Sequence, residues 1–168
     1  MKGSLKLLKI LQWKQFKGVS GFFFRHPLLF LSAITATGQC LLICDRMFGK
    51  SHHKNNKANA FRHALWNMML MRNAFVVEKN SEKVRSWVKS LTDWHETFSP
   101  NPPLARSMDL HNNAAGRQLY LQNFDRNGVK NSQLTQALLP LLKTARKINS
   151  TEELHRFPGE LIYIKDEK

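Results

Sequence analysis

Three short stretches of the sequence carry the residue types that acid–base or metal chemistry uses. In the first, Asn59, His63 and Asn67 are spaced by four, so on a helix they form one polar stripe. The residues between them are mostly apolar, which predicts a buried helix, and buried polar groups need hydrogen-bond partners. Three such residues in register, with Arg62 beside His63, therefore indicate a site rather than an isolated core histidine.

The second stretch is His95 with Glu96, directly after the apolar stripe of a predicted helix. That position turns the His95 imidazole toward the core and places Glu96 about a hundred degrees around the helix. Two interpretations remain open. Either one or both residues are proton-transfer groups or ligands, or His95 stabilises the negative end of the helix dipole while Glu96 is solvated.

The third stretch places Asp109, Asn112, Asn113 and Gly116 on one side of a helix, at spacings of three and four. Aspartate and asparagine are mediocre helix formers, so their presence inside a helix suggests that their polar atoms are used. Gly116 permits close approach of another helix. His111 points elsewhere on an ideal helix, but we include it in the predicted site.

The motifs of several enzyme classes are absent, including the serine-nucleophile elbow, the phosphate-binding loop and His-Glu-x-x-His. What remains is attack by water, activated by a carboxylate-oriented histidine or by a divalent metal. The simplest assignment makes His63 the general base and Asp109 its orienting partner. The predicted catalytic residues are His63, His95, Glu96, Asp109 and His111, and a metal, if present, would take its ligands from His63, His95, Glu96 and Asp109. The predicted substrate-binding residues are Asn59, Arg62, Asn67, Asn112 and Asn113.

The elements that must position these residues are helices. Apolar periodicity and breakers predict helices over 58–78, 81–97, about 105–123 and 132–147, with Ser81 as an N-cap, and a capping box at Ser150 opening a short fifth helix. Residues 161–164 are a candidate terminal strand. We therefore predict an all-α fold: a compact helical domain of about four to five helices with a basic and apolar N-terminal helical extension.

The first fifty-seven residues carry most of the positive charge. They hold ten Lys or Arg residues against Asp45 alone, a contribution of +9 to the net charge of +14. Apolar residues alternate with lysines there as in a surface-lying membrane helix, so an anionic membrane is the first predicted partner and nucleic acid the second. The predicted membrane-contact residues are Lys6, Lys9, Trp13, Lys14 and Lys17.

An uncharged apolar run follows over 28–44 and could span a bilayer, lie in its interface or pack as a buried helix. Cys40 and Cys44 within it are expected to be small buried side chains rather than metal ligands or a disulfide. We divide the chain into a membrane-seeking region 1–50, a polar linker 51–57 and a helical, catalytic domain 58–168. We expect the protein to be membrane-associated.

The motif stretches also carry a resemblance. Asn-Ala-Phe-Arg-His-Ala-Leu-Trp-Asn, then His-Glu, then Met-Asp-Leu-His-Asn-Asn-x-x-Gly-Arg is similar to a family of small domains found in bacterial polymorphic toxins and in stand-alone bacterial proteins. The similarity covers 58–117. It implies a bacterial toxin-like protein, with an immunity protein as a further partner, but it implies no particular reaction.

Together these features predict a toxin-like hydrolase that acts at a membrane, with phospholipid as the first candidate substrate. A nuclease or cell-wall hydrolase toxin is the second hypothesis, because the basic arm also suits nucleic acid. The third hypothesis is a non-enzymatic protein that inserts into membranes or binds a partner. In that case the polar stripe is only a buried hydrogen-bond network.

Overall fold

The fold is built from five α-helices and one very short sheet over residues 19–124 and 128–166, which the computed structural model describes. The helices are α1 (Pro27–Phe48), α2 (Lys57–Val77), α3 (Ser81–Phe98), α4 (Pro103–Asn123) and α5 (Asn131–Lys143), and residues 19–25 are also helical. Helices of type 3-10 span Gly49–His53 and Thr151–Arg156. The strands β1 (Arg146–Lys147) and β2 (Ile162–Tyr163) pair in parallel. The predicted all-α class and the short terminal strand are confirmed.

Helix α2 lies at the centre of the molecule. Fourteen of its 21 residues are buried, because α1, α3, α4 and α5 each pack against a different side of it. Such burial requires apolar residues nearly all round the helix, and Phe61, Leu65 and Met68 are among the fully buried ones. The polar residues of α2 are therefore enclosed by neighbouring helices.

Close contact between α2 and α4 depends on Gly116. A β-carbon at this position would lie 2.2 Å from the backbone oxygen of Ala64, well inside van der Waals contact. The expectation that Gly116 permits close approach of a helix is confirmed. This contact sets the spacing at which the polar residues of the two helices face each other.

Several predicted helix ends differ from the structure. Helix α3 is capped by Asn80, whose side chain accepts a hydrogen bond from the Lys83 amide, and not by Ser81. Ser150 makes no side-chain capping bond, and the segment after it is a 3-10 helix. Helix α5 ends at Lys143 instead of 147, since Arg146 leaves the helical path to pair with β2. For α3 a neighbouring polar side chain decides the helix end, and for α5 a distant strand does.

Helix α1 buries one face and exposes the other, although both are apolar. Its buried residues recur every three or four positions and share a core with the other helices. They are Leu29, Ala33, Ala36, Cys40 and Cys44. Both cysteines are free and buried, as expected. By length and composition alone, the stretch Pro27–His53 could also cross a membrane.

The predicted linker 51–57 is packed into the fold near both of its ends. His52 is fully buried and Asn56 caps α2 by accepting a hydrogen bond from the Asn59 amide. Residues 27–48 and 58–124 therefore share one core across this segment. The predicted membrane-contact residues Lys6, Lys9, Trp13, Lys14 and Lys17 lie outside the described residues.

Candidate functional site

A small polar cavity of about 220 Å³ opens between α2, α3 and α4. Six of its lining residues belong to the predicted site: Asn59, Arg62, His63, His95, Glu96 and Asp109. Asn59, His63, Glu96 and Asp109 are buried, whereas Arg62 is partly exposed. Solvent in the cavity can therefore reach the side chains of a buried histidine and two buried carboxylates.

His63 is held as a neutral imidazole by its two partners. Arg62 Nη2 donates to His63 Nε2 at 2.8 Å, and His63 Nδ1 donates to Asn113 Oδ1 at 3.1 Å. Burial and then the charge of Arg62 hold the pKa of His63 well below its usual range. At neutral pH the His63 ring is therefore uncharged.

Two carboxylates flank the His63 ring on opposite edges. Glu96 Oε1 lies 3.6 Å from Nδ1, and Asp109 Oδ1 lies 3.3 Å from Nε2. Burial, followed by the charge of Glu96, raises the pKa of Asp109 to about 7, and burial also raises the pKa of Glu96. Asp109 thus titrates near neutral pH, as a group that takes and gives protons at that pH must.

Three buried oxygens at this site have no hydrogen-bond partner among the described residues. They are Asp109 Oδ1, Glu96 Oε2 and Asn59 Oδ1. Buried acceptors are rarely left unpaired, because each unpaired group costs about 1–3 kcal/mol. All three residues line the same cavity, so the arrangement suits a ligand that supplies positive charge or donors: a metal ion, a water molecule or both.

His63, Glu96 and Asp109 fit a divalent metal by residue type and spacing. One ligand atom from each lies within 4.8 Å of the others. A tetrahedral ion with bonds of about 2.1 Å needs ligand atoms about 3.4 Å apart, so small side-chain rotations would complete the set. Because Arg62 donates to His63 Nε2, a metal on that nitrogen also requires the guanidinium to turn away.

A chain of hydrogen bonds beneath the cavity orients His63. Arg117 Nη1 donates to Asn67 Oδ1 at 2.6 Å, and Asn67 Nδ2 donates to Asn113 Oδ1 at 2.7 Å. Asn113 Nδ2 in turn donates to Glu96 Oε1 at 3.4 Å. Burial lowers the pKa of Arg117 to about 10. Asn67 and Asn113 therefore support the site from below rather than lining its cavity.

Residues 20–146 match the family described as a domain of unknown function, DUF6973. The chain belongs to this family. The matched range contains every residue that lines the cavity and also includes α1, which the motif resemblance over 58–117 does not cover. No curated protein and no solved structure matches the chain.

Two predicted site residues lie away from the cavity. His111 Nε2 donates to the Glu160 carbonyl at 3.0 Å, so its prediction as a catalytic residue is not supported by its contacts. Asn112 exchanges two hydrogen bonds with the backbone of Ile162, at 2.9 and 3.0 Å, and so cannot bind substrate with the same atoms. Both residues attach the C-terminal segment to α4.

His95 also differs from its prediction. Its side chain is exposed instead of turned into the core, and it lies edge-on to Trp66 with ring centroids 5.2 Å apart. Partial burial and the charge of Arg62 lower the pKa of His95. Glu96, by contrast, is buried rather than solvated. His95 therefore stands at the rim of the cavity and Glu96 at its floor.

The sequence patterns missed four lining residues: His53, Asn55, Ser99 and Asn101. Asn101 Nδ2 donates to Asp109 Oδ2 at 3.0 Å, from the proline-rich loop before α4. These residues lie in connections, where helical periodicity gives no signal. The run Ser-His-His-Lys-Asn-Asn-Lys was interpreted as a linker, although its dense polar side chains directly precede the stripe of α2.

Proposed function

We propose that the protein is a hydrolase that acts on phospholipid at an anionic membrane surface, with water activated at His63, Glu96 and Asp109. The observation that carries the proposal is the pairing of one buried histidine with two buried carboxylates, each with an unpartnered oxygen, at an accessible polar cavity. A bacterial toxin role belongs to the same proposal and rests on the motif resemblance.

The roles follow from where the side chains lie. Water in the cavity reaches the Asp109 carboxylate, which takes its proton as the oxygen attacks an ester centre. His63 stays neutral beside it, because its Nε2 already accepts from Arg62. Arg62 supplies positive charge beside the developing oxyanion. Asp109 then gives this proton to the leaving oxygen, and His95 lies at the rim where the leaving group departs. A divalent metal bound by the three buried side chains would lower the pKa of that water.

Membrane action is supported by the outer face of α1. Large apolar side chains remain exposed there, including Leu28, Leu31, Ile34 and Leu42. Exposed apolar rows on soluble proteins often mark membrane or protein contacts. The excess of Lys and Arg in the first fifty-seven residues favours an anionic surface among these partners.

The test is hydrolysis of vesicles made from anionic phospholipid by wild type and Glu96→Gln, with and without added divalent metal. We expect Glu96→Gln to lose at least 100-fold in rate, the range found for acid–base groups. Glu82→Gln is the matched control, since Glu82 is exposed on the same helix, and it should keep the wild-type rate.

A folded wild-type protein that releases no product from anionic or zwitterionic vesicles under either condition would reject the phospholipid proposal. The nuclease alternative makes a different prediction in the same series. It expects salt-sensitive degradation of DNA or RNA that Glu96→Gln abolishes.

A further inference from the structure

An apolar groove of about 300 Å³ lies beside the polar cavity, between α1, α2 and α3. Its walls are almost entirely hydrocarbon and aromatic, from Ala33, Ile34, Trp66, Leu91 and Trp94. A groove of this size lies at the lower end of small-molecule binding sites. The water-activating residues do not line it, so the groove suits the non-reacting part of a ligand.

His95 joins the groove to the cavity, since it lines both. Trp66 is held at the same boundary: its Nε1 donates to Thr37 Oγ1 at 2.9 Å, and its ring lies edge-on to His95. A ligand that follows the groove past His95 therefore enters the cavity that Arg62, His63 and Asp109 line. The two connected spaces therefore suit a ligand with an apolar chain at one end and a polar, reactive group at the other.

The groove also meets the exposed apolar face of α1. Ile34 lines the groove and is 55% exposed, and Leu31 and Leu42 lie on the same outer face at 52% and 58%. If this face rests on a bilayer, an acyl chain passes from the bilayer into the groove without crossing water. Exposed Arg46 and Lys50 follow at the C-terminal end of α1, where they complement anionic headgroups.

We propose that the groove binds one acyl chain of an anionic phospholipid and so directs the ester region of that lipid past His95 into the cavity. The inference rests on the proposed function for its substrate class. The groove would be the part of the binding site that selects a lipid by its acyl chain. A free phosphate has no group that would occupy such a groove.

Chain length gives a quantitative expectation. Each methylene buried in the groove contributes about 0.8 kcal/mol, which corresponds to about a fourfold gain in affinity. Affinity for soluble phosphatidylglycerols below their micelle-forming concentration should therefore rise with acyl length until the groove is full, and then level off. Glycerol phosphate, which has the headgroup charge and no chain, should bind at least 100-fold more weakly.

The deciding comparison uses calorimetric titration with these soluble phosphatidylglycerols in a Glu96→Gln background, where we expect turnover to be at least 100-fold slower. Ile34→Trp should block the groove from its exposed edge and weaken binding at least tenfold. Val76→Trp is the matched control, because Val76 is an exposed β-branched residue of α2 outside the groove, and it should bind as its parent does. Thermal melting of both variants checks that each is folded.

Equal affinities in Ile34→Trp and Val76→Trp, or no dependence on acyl length, would overturn the groove proposal even if vesicles are hydrolysed. Length-dependent binding that Ile34→Trp abolishes would support the groove even if no hydrolysis is found, and the proposed reaction alone would then fail. Binding of a hydrophobic peptide but not of the soluble lipids would also overturn it and identify the groove as a protein contact.

Discussion

Asp109 is a carboxyl group whose ionisation is opposed both by its burial and by the charge of Glu96. Its pKa is raised from 3.8 to about 7 by burial and by the charge of Glu96, so the folded state binds this proton more tightly than the unfolded state. Stability from that proton is fully present below about pH 4 and is lost as the pH rises through about 7. At pH 8 the ionised carboxylate thus destabilises the metal-free protein.

We expect Asp109→Asn to raise the free energy of unfolding at pH 8 by about 2–4 kcal/mol, since a pKa difference of about 3 corresponds to about 4 kcal/mol. The gain should shrink toward pH 4. The asparagine can keep the hydrogen bond from Asn101. Denaturant unfolding with a chelator present measures both values.

Asp93→Asn is the control for this substitution. Asp93 pairs with Lys89 at the surface of α3, and such pairs contribute less than about 1 kcal/mol. A loss of stability in Asp109→Asn at pH 8 would contradict the prediction. It would favour the third hypothesis, in which the polar residues are only a structural network.

Metal binding at His63, Glu96 and Asp109 should become tighter as the pH rises, whereas the stability that comes from the Asp109 proton is lost. A metal needs both carboxylates ionised and the histidine neutral, so protons compete with it below about pH 7. We expect Zn²⁺ or Mn²⁺ to raise the melting temperature at pH 8 and to raise it much less at pH 5.5. Glu96→Gln should remove the effect.

A second group of ligand-type side chains, Asp45, His52 and His53, requires its own control. Asp45→Asn should keep the metal-dependent rise in melting temperature if the cavity holds the metal. A rise that disappears in Asp45→Asn and persists in Glu96→Gln would place the metal at the second group. No bound metal at pH 8 would leave acid–base activation of water by Asp109.

At the scale of elements, the contact of α2 with α4 holds the two halves of the site together. We expect Gly116→Ala to destabilise the protein by about 3 kcal/mol or more, because the added carbon meets the Ala64 backbone, which cannot rotate away. The shift of α4 should also weaken the bond between His63 and Asn113. Thermal unfolding and the rate of vesicle hydrolysis measure the two effects.

Gly38→Ala is the matched substitution on α1. Among residues 19–124 and 128–166, nothing lies within 4 Å of a β-carbon at Gly38, so alanine there should stabilise the helix by about 0.5–1 kcal/mol. Equal effects of the two substitutions would show that α2 and α4 can move apart to accept a β-carbon, which in the present packing would lie 2.2 Å from the Ala64 oxygen.

Helical periodicity predicted the central elements of the fold because α2, α3 and α4 are amphipathic or buried helices with clear breakers. It also grouped His63 with Asn67, because their common face follows from the period of their own helix. It could not separate Asn112 from Asn113, since one contacts the β2 backbone and the other contacts His63, and only the docking of α4 decides which. His53 and Asn101 come from connections, whose paths follow from tertiary contacts that local patterns do not encode.

At the scale of the whole molecule, α1 has two apolar faces in different environments, and its sequence pattern does not show which face is buried. One apolar face completes the core, and the other remains exposed beside an excess of positive charge. A helix of this kind can hold a folded domain at the surface of a bilayer without crossing it. Membrane binding and folding should then be separable by substitution.

We expect the protein to bind vesicles of anionic phospholipid more tightly than zwitterionic ones, and more weakly as salt rises, since screening shortens the reach of the basic residues. Leu42→Glu should weaken this binding about tenfold or more, because burying a leucine contributes about 1.5–3 kcal/mol, and it should leave the melting temperature unchanged. Val76→Glu, an equally polar change at an exposed site on α2, should bind as wild type does. Co-sedimentation with vesicles measures the binding of wild type and of both variants.

If Leu42→Glu binds as wild type while salt still releases the protein, the attachment is purely electrostatic, and the outer face of α1 would then be free to contact a protein instead of lipid.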